Sequence, residues 1–537
     1  MRTALLTLAC ALAVLAAGCS LGGGEATTGD ETTQAPAPKR FAELKVIFDE
    51  SLDYLDPQLS YTTEGWQAMW SVYLPLLTYR HEAGTAGTAL IPALASALPV
   101  VSDGGRVYRL TLREGVRYSN GKPVRAADFA FALRRLRALR SPGADLFANV
   151  EGVKAGADGS IEIRLRRPQA GFADVLALPF GAPVPAGSSL EDASAAPLPA
   201  SGPYRLIRPP GVGFALVRNP YWKPISGIPS GYANRVTVEV AGVADAALAA
   251  TWSGAADYTT HQIPLPQVRA TLAAHGDRIR RGTPGNTYYA FLNVEEPPFD
   301  KLAVRKAVEF AIDRRAFVAR FGGLASPTQN VLPPGYPSYR KLALYSYDPA
   351  RARRELARAG AAGAPVTVWT SDRESYRSLA AELVAQLNRV GLKAELKVLD
   401  DEIYFTAVAS PAGQAQAGIA NWLQDYVHPV NWFGELLTGT ANAQSPDQNL
   451  ANADVPALNE LVGRLSRQPT LTAAGNAGWA RADRIALEQA LWVPLLNRQF
   501  TDAVGPRIDL RCAVGHVLFG LDLTRLCVRE SDSPSNG

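Results

Sequence analysis

Residues 107–129 read VYRLTLREGVRYSNGKPVRAADF, and this stretch indicates the fold class. Apolar and polar residues alternate over 108–112, which predicts a half-buried strand. The Asn-Gly pair at 120–121 predicts a turn. Asp128 is then expected to open a helix that buries Phe129 and Leu133 on one face. The stretch therefore predicts a strand, a turn and a helix in series.

A strand-helix-strand unit is predicted further along the chain. Residues 366–370 form an apolar run, and Leu379, Leu383 and Leu387 recur at helical spacing before a second strand-like run at 393–399. Two strands joined by a helix pair in parallel, because the crossover returns the chain in the same direction. The sequence thus predicts an α/β protein with a parallel sheet.

Composition limits the class of protein. The chain has 537 residues, of which 47% are hydrophobic and 19% charged. That length and apolar content predict a well-packed globular protein with two or more domains. The net charge of +4 is too small and too dispersed to indicate nucleic-acid binding. The one basic run, residues 134–140, is interpreted as the solvated face of a helix.

The N-terminus carries an export signal. Arg2 precedes an uncharged apolar run that ends at Gly18, too short to span a bilayer as a helix. The residues before Cys19 resemble a bacterial lipobox, with Ala16 where the pattern usually has Leu, which predicts a signal peptide over 1–18 and a lipidated Cys19. The alternative is an ordinary signal peptide followed by an incidental cysteine. Residues 19–40 are rich in Gly, Thr, Ala and Pro and are expected to form a flexible tether.

Four cysteines occur in the chain. Cys10 would leave with the signal peptide and Cys19 would carry the lipid. Cys512 and Cys527 remain, and exported proteins meet oxidising conditions, so we expect these two to form a disulfide. A metal site is a weak alternative, because His516 is their only nearby imidazole. No metal-ligand, phosphate-loop or nucleophile motif is present, so no metal or cofactor is predicted.

Several motifs occur in the order found in one transporter family. They are LDP (55–57), PALA (92–95), the stretch 107–129, GPY (202–204), NPYW (219–222), PPFD (297–300) and AIDR (311–314). Together they resemble the family 5 solute-binding proteins of ABC importers, the oligopeptide- and dipeptide-binding group. The resemblance covers roughly residues 44–500. Tyr118, Asn120, Arg125 and Ala127 depart from the family pattern.

The resemblance implies a two-lobed α/β fold of the periplasmic-binding-protein type II (cluster C) class, with a central ligand cleft. The first lobe would comprise residues 41–287 and 495–537, with an extra subdomain near 80–195. The second lobe would comprise residues 288–494. Two crossing strands would form the hinge, and closure would shield the ligand from water.

The main candidate site is the stretch around Asp425. An apolar run leads to Trp422, and Asp425 and Tyr426 follow before Pro429 ends regular structure. From the residues alone, Asp425 is either paired inside the protein or meets a cation from outside. Trp422, Asp425, Tyr426 and Pro429 match the family's Trp-x-x-Asp-Tyr-x-x-Pro motif. The resemblance implies that Asp425 pairs with a ligand ammonium.

The same resemblance implies that the backbone around Trp422 pairs with a peptide as an added strand, which adds Asn421, Leu423 and Tyr426 to the candidate site. The segment 61–65 follows the LDP motif and contributes Thr62, Thr63 and Glu64 as candidate contacts. Four further candidates lie at the predicted crossings: Tyr289, Asn293, Asn497 and Arg498. For Tyr289 and Asn293 the alternative is packing at the hinge, and Arg498 is a candidate for a ligand carboxylate.

These residues predict a lipid-anchored, non-enzymatic binding protein on the outer face of the cell membrane. It would be a monomer that delivers peptides to permease and ATPase subunits on other chains, without binding nucleic acid. Alternatives within the same fold are an oligosaccharide, a metal chelate or a cationic metabolite as ligand. A more remote alternative is an exported hydrolase using neighbouring carboxylates such as Asp53 and Asp56, or Asp400, Asp401 and Glu402.

Replacing Cys19 tests the predicted anchor. Cys19→Ala removes the thiol that would carry the acyl chain, so the variant should move from the membrane fraction to the periplasm or medium. Fractionation with immunoblotting, and mass spectrometry of the wild-type N-terminus, measure this. A membrane-bound variant together with a wild type lacking acyl mass contradicts the prediction.

Overall fold

The computed structural model describes residues 39–50, 52–211, 213–282, 285–410, 415–440 and 448–529. The predicted signal peptide, Cys19 and nearly all of the predicted tether lie outside these ranges. Within them, no helix is long and apolar enough to cross a bilayer. No group of three or more metal-ligating side chains occurs in the same ranges.

The strands of the described residues run as follows: β1 Phe41–Phe48, β2 Leu77–Tyr79, β3 Leu90–Pro92, β4 Val100–Ser102, β5 Val107–Thr111, β6 Val150–Ala155, β7 Ser160–Leu165, β8 Tyr204–Ile207, β9 Phe214–Arg218, β10 Ala233–Val240, β11 Tyr258–Thr259, β12 Ile279–Arg281, β13 Asn286–Leu292, β14 Ala325–Pro327, β15 Pro365–Ser371, β16 Lys393–Leu399, β17 Ala417–Leu423, β18 Trp492–Arg498, β19 Thr501–Val504, β20 Ile508–Asp509, β21 Gly515–His516, β22 Gly520–Leu521 and β23 Cys527–Val528.

The α-helices are α1 Thr63–Met69, α2 Gly84–Gly87, α3 Ala126–Ala138, α4 Phe172–Val175, α5 Ala244–Ser253, α6 Val268–His275, α7 Leu302–Ala311, α8 Arg314–Ala319, α9 Pro349–Arg358, α10 Glu374–Arg389, α11 Asp401–Val408, α12 Val430–Leu436, α13 Pro456–Leu465 and α14 Ala473–Glu488.

Two large sheets organise the molecule. The first sheet has the strand order β12-β19-β11-β1-β10-β9-β8, and the second sheet has the order β14-β18-β13-β17-β15-β16. A smaller sheet, β4-β5-β7-β6, lies within the predicted subdomain. Strands β15 and β16 pair in parallel with α10 between them, as the sequence predicts. The α/β class is therefore confirmed, while the exact domain limits stay a prediction.

The chain passes between the two large sheets at two neighbouring places. It leaves the first sheet after β12 and enters the second at β13, and it returns from β18 to β19. The side-chain amide of Asn286 and the backbone of Arg498 exchange two hydrogen bonds of 2.9 Å. Asn497 donates to the Asn286 carbonyl at 2.8 Å. These bonds hold the two crossing strands together.

The stretch 107–129 folds as its pattern predicts, with two corrections at the helix. Tyr108 and Leu110 of β5 are buried while Arg109 is exposed. Helix α3 begins at Ala126 rather than Asp128, and Asp128 instead accepts a 2.8 Å bond from the Arg125 N–H, as the third residue of a capping box does.

The basic run on α3 is not wholly solvated, because Arg135 is fully buried. Its guanidinium forms an ion pair with Asp56 of the LDP motif and donates to Gln58 Oε1 at 2.8 Å. It also donates to the backbone carbonyls of Ser189 and Glu191. A buried cation is tolerated only when it is paired and hydrogen-bonded, and Arg135 meets both conditions.

Cys512 and Cys527 are disulfide-bonded in the structure, with their Cα atoms 5.8 Å apart. The bond closes a loop of 15 residues between β20 and β23, which pair with each other. It therefore fastens the C-terminal segment to itself.

Removing this bond should lower stability. A Cys512→Ala, Cys527→Ala double variant frees a 15-residue loop, so the free energy of unfolding should fall by about 3 kcal/mol. Denaturant unfolding measures the change. Alkylation of the unreduced, denatured wild type should label neither residue. Two labelled thiols would contradict the disulfide. Equal free energies of unfolding for the wild type and the double variant would show that the disulfide does not stabilise the fold.

Candidate functional site

Strand β17 carries the predicted binding motif and has one partly unpaired edge. It pairs along its length with β13, but β15 pairs with it only at Ala417 and Gly418. Burial decreases along the strand, from fully buried Ala417 to Leu423, which is 40% exposed. The edge from Ala420 to Leu423 therefore has no strand partner among the described residues, and such an edge accepts an extended chain.

Asp425 follows this strand, and among the described residues its carboxylate accepts hydrogen bonds only from neutral donors. Oδ2 accepts from Asn431 Nδ2 at 2.7 Å, and Oδ1 accepts from the Tyr61 hydroxyl. Asn431 Oδ1 in turn accepts from the Asp425 N–H at 2.9 Å. Burial raises the pKa of Asp425 above its usual range, although the bonds from Tyr61 and Asn431 act to lower it. In the described part of the chain no cation contributes to this balance.

Tyr61 reaches Asp425 from the other side of the interlobe boundary. It follows the LDP motif, and its ring packs against Trp66 at 5.7 Å and Phe180 at 5.6 Å between centroids. The Asp53 carboxylate accepts from the Tyr61 N–H at 2.6 Å, which fixes the backbone. The bond between Tyr61 and Asp425 thus joins the segment after the LDP motif to the end of β17.

A second polar contact joins the same two parts of the molecule. The Tyr79 hydroxyl accepts from the Val427 N–H at 3.1 Å and donates to Asp174 Oδ1 at 3.0 Å. Burial raises the pKa of Asp174 to about 7. Val427 occupies one of the two unspecified positions before the motif's proline, and it contributes its backbone N–H here. His428, the other, is buried, and burial lowers its pKa to about 3.

The residues next to Asp425 in the chain differ in burial and in hydrogen bonding. Trp422 is partly buried and its Nε1 donates to Asn431 Oδ1 at 3.3 Å. Asn421 accepts a hydrogen bond from the Tyr376 hydroxyl. Leu423 is exposed at the end of the strand, while Tyr426 is buried. Trp422, Asn421 and Leu423 therefore lie on the unpaired edge, and Tyr426 is buried just after it.

The first-lobe candidates surround the start of α1. Thr62 is the N-cap residue, and its Oγ1 accepts from the Gly65 N–H at 3.2 Å. Its hydroxyl also donates to Asp53 at 3.1 Å. Thr63 and Glu64 form the first turn of the helix and are partly buried. The residue that reaches Asp425 from this segment is Tyr61.

The four candidates at the crossings do not gather at Asp425. Tyr289 is buried and stacks on Trp492 with ring centroids 3.4 Å apart. Asn293 follows the end of β13 that pairs with Ala417, opposite to the end that pairs with Leu423. Their positions favour the packing alternative over a contact at Asp425, and a role of either residue in the cleft stays a prediction.

Asn497 and Arg498 lie at the end of β18, near the crossing. Both side-chain N–H contacts of Asn497 are internal, to the Asn286 carbonyl and to Thr287 Oγ1 at 3.0 Å. The guanidinium of Arg498 lies over Phe321 and Phe500, and its buried Nε has no hydrogen-bond partner. Asn497 thus supports the crossing, and Arg498 stays a candidate for a ligand contact.

Two residues of the site were absent from the predicted set. Tyr61 was named only as part of the segment 61–65, and Asn431 lies on α12, six residues past Asp425. The sequence does place a side-chain amide, that of Asn431, in the first turn after Pro429, close enough in the chain to bond the Asp425 carboxylate. The role of Tyr61 depends on a contact 364 residues away in the chain, which no local pattern carries.

The carboxylates considered for hydrolysis are engaged in local structure. Asp56 pairs with Arg135, and Asp53 bonds Ser60, Tyr61 and Thr62. Asp400 caps α11, and Asp401 pairs with Arg373. Asp53, Asp56, Asp400 and Asp401 therefore all bond to neighbouring parts of the described chain.

The chain resembles known binding proteins in sequence. The family model of the bacterial extracellular solute-binding proteins, family 5 Middle, matches residues 89–444. Glutathione-binding protein GsiB of Escherichia coli (strain K12) is 29% identical over 330 residues, covering 59% of this chain and 63% of that protein. The chain thus spans less than two thirds of that relative. GsiB of Shigella dysenteriae serotype 1 is 29% identical over 417 residues, covering 75% and 80%.

Solved structures share the fold over nearly the whole chain. The clavulanic acid biosynthesis oligopeptide binding protein 2 matches with a TM-score of 0.84 and 25% identity, covering 92% of this chain and 97% of that one. The periplasmic binding protein DppA of Helicobacter pylori matches with a TM-score of 0.70 and 21% identity, over 91% and 98%. These matches confirm the two-lobed α/β fold with its central cleft. The first lobe carries the first sheet and the second lobe carries the second sheet.

The family is one of substrate-binding proteins of transport systems rather than of enzymes, and the site described above agrees with that class. Because the family model covers most of the chain, from residue 89 to residue 444, this protein belongs to family 5 of the bacterial extracellular solute-binding proteins.

Proposed function

We propose that this protein is the extracytoplasmic, lipid-anchored binding component of an ABC importer and that its ligand is a peptide with a free α-ammonium. Asp425 holds the ammonium, and the edge of β17 from Ala420 to Leu423 pairs with the peptide backbone. The ligand passes to a permease on separate chains, with Cys19 as the anchor.

The environment of Asp425 is the observation that carries this proposal. A charged side chain that is withdrawn from water normally has an ionic partner, yet within the described residues the partly buried Asp425 accepts only from the neutral donors Tyr61 and Asn431. Burial raises the pKa of Asp425, which means that burial destabilises the ionised carboxylate. A cation beside it would stabilise the ionised form. A ligand ammonium supplies that charge and forms one of the stronger kinds of hydrogen bond.

The unpaired edge of β17 supports a peptide rather than an isolated cation. Main-chain pairing binds any peptide without reading its side chains, and the edge ends two residues before Asp425. An N-terminal ammonium and the adjoining backbone would thus be held by consecutive parts of one segment. The names of relatives agree in ligand class: GsiB binds glutathione, and the Helicobacter pylori DppA structure contains the peptide STSA.

Tyr61 and a ligand ammonium would compete for Asp425. Its hydroxyl donates to the Asp425 oxygen that an ammonium would also approach. Binding of the ligand therefore replaces a neutral donor by a charged one. A charged donor bonds a carboxylate more strongly than a neutral hydroxyl does, so the exchange favours the liganded protein.

A cationic metabolite without a peptide backbone is the remaining candidate that Asp425 favours. Such a ligand would use the carboxylate but leave the edge of β17 unpaired. Native mass spectrometry of the purified protein, looking for a co-purified ligand, separates the two. An oligosaccharide would leave Asp425 without its partner.

Replacing Asp425 tests the ammonium contact. Asp425→Asn keeps the shape and removes the charge, so the affinity for a peptide should fall by about 2–5 kcal/mol. N-acetylation of the peptide should weaken wild-type binding by a similar amount and the variant's binding much less, because both changes remove the same interaction. Calorimetry with a peptide library measures both.

The matched control is Asp277→Asn, because Asp277 is an exposed carboxylate of the first lobe. It makes the same change in charge and should leave the affinity unchanged. Equal affinities of the wild type and Asp425→Asn for every peptide would show that Asp425 has only a structural role.

Replacing Tyr61 tests the exchange of donors. Tyr61→Phe removes the hydroxyl that must leave Asp425 and keeps the ring against Trp66 and Phe180. Peptide affinity should therefore rise by about 1 kcal/mol, and the effect should vanish in Asp425→Asn. Weaker binding by Tyr61→Phe would mean that the hydroxyl contacts the ligand instead of giving way to it.

A further inference from the structure

A separate cavity of about 620 Å³ lies in the first lobe. Its walls come from the β2–β3 hairpin, Arg113 two residues after β5, the loop between β9 and β10, and the C-terminal segment. No residue of the second sheet lines it, so it is distinct from the site at Asp425. Its volume falls within the range of small-molecule sites.

Three guanidinium groups line this cavity: Arg80, Arg113 and Arg525. Glu82 supplies the one acidic side chain among the lining residues, which leaves two positive charges in excess. Arg80 and Glu82 lie 3.5 Å apart with both side chains 51% exposed, an ion pair that contributes little. The lining is therefore an open, net cationic surface.

Arg525 and Arg113 have unused donors there. The Nε of Arg525 is buried with no hydrogen-bond partner in the described residues, and its guanidinium forms no ion pair within them. Arg113 donates only its Nε, to the Ala93 carbonyl at 2.8 Å. A buried donor without a partner is costly, and an anion would satisfy it.

The walls of the cavity are held in place. Gly227 has a φ of +81°, and a Cβ at that position would lie 2.9 Å from Ile91 Cδ1. The loop after β9 therefore packs closely on the hairpin, which only glycine permits. His81 also lines the cavity; its ring stacks on Trp70 at 3.9 Å and its Nδ1 lies 2.6 Å from Asp522 Oδ2. Its Nε2 is a second buried nitrogen without a partner.

We propose that this cavity binds a doubly charged phosphoryl group. Arginine is suited to phosphate because its planar fork donates two parallel hydrogen bonds to two oxygens. Arg80, Arg113 and Arg525 supply these forks, and the excess of two positive charges matches a phosphate monoester dianion. The phosphoryl group belongs to a soluble phosphate ester or to a lipid headgroup, since both present the same oxygens.

The test uses inorganic phosphate and the mature full-length protein. Isothermal calorimetry should detect binding by the wild type. Arg525→Gln removes the unpaired guanidinium and should weaken phosphate binding about tenfold. Arg80→Gln should weaken it less, because Arg80 is half exposed and shared with Glu82. Glu82→Gln removes the opposing carboxylate and should tighten it.

Arg377→Gln is the matched control. Arg377 is exposed on α10 and does not line the cavity, and its substitution removes the same charge. It should leave phosphate binding unchanged. Peptide affinity and the midpoint of thermal unfolding should be the same in the wild type, Arg525→Gln and Arg80→Gln, which shows that the cavity is separate from the cleft and that the variants fold.

Two further probes identify the source of the phosphoryl group. If glycerol 3-phosphate binds with the same affinity pattern across the variants as inorganic phosphate, the site is assigned to soluble phosphate esters. Binding confined to vesicles that contain phosphatidic acid, and not to pure phosphatidylcholine vesicles, assigns it to a headgroup. Absence of phosphate binding to the wild type in every form, or equal effects of Arg525→Gln and Arg377→Gln, overturns the proposal.

Discussion

The fully buried ion pair between Asp56 and Arg135 is the interaction on which the first lobe's contribution to the site depends. Each charge would be costly to bury alone, so neither side chain can leave without a large loss of stability. Arg135 further binds Gln58 and two backbone carbonyls, and Asp56 accepts from the Ala193 N–H at 2.9 Å. The loop after β1 is thereby fixed to α3 and to the segment near residue 190.

That loop positions the residue that meets Asp425. Asp53 and the start of α1 fix the backbone of Tyr61, and Trp66 and Phe180 fix its ring. Ring contacts continue from Trp66 through Phe519 and Trp70 to His81 at the first-lobe cavity. One continuous set of packed aromatic rings therefore contacts both Tyr61 at the cleft and His81 at the cavity, although the two sites are lined by different residues.

The second lobe contributes a different constraint. Strand β17 is held by β13 along its whole length, but β15 leaves it after Gly418. The edge that is free among the described residues arises from this one departure, because β17 continues past Gly418 to Leu423 while only β13 still pairs with it. Burial raises the pKa of Asp425 at that place, and a site that desolvates a carboxylate beside a free edge is well suited to an ammonium with an attached peptide backbone.

The sequence by itself determined the elements whose patterns are local: the alternation of β5, the strand-helix-strand unit around α10, and the Trp422 to Pro429 motif. These follow from side-chain periodicity and from turn residues, which act over a few positions. The tertiary structure alone decided the rest. Arg135 became buried because Asp56 meets it from 79 residues away, and Tyr61 joined the site through a contact spanning 364 residues. Asn293 was placed at the far end of β13 because strand register, not distance along the chain, sets which residues are neighbours.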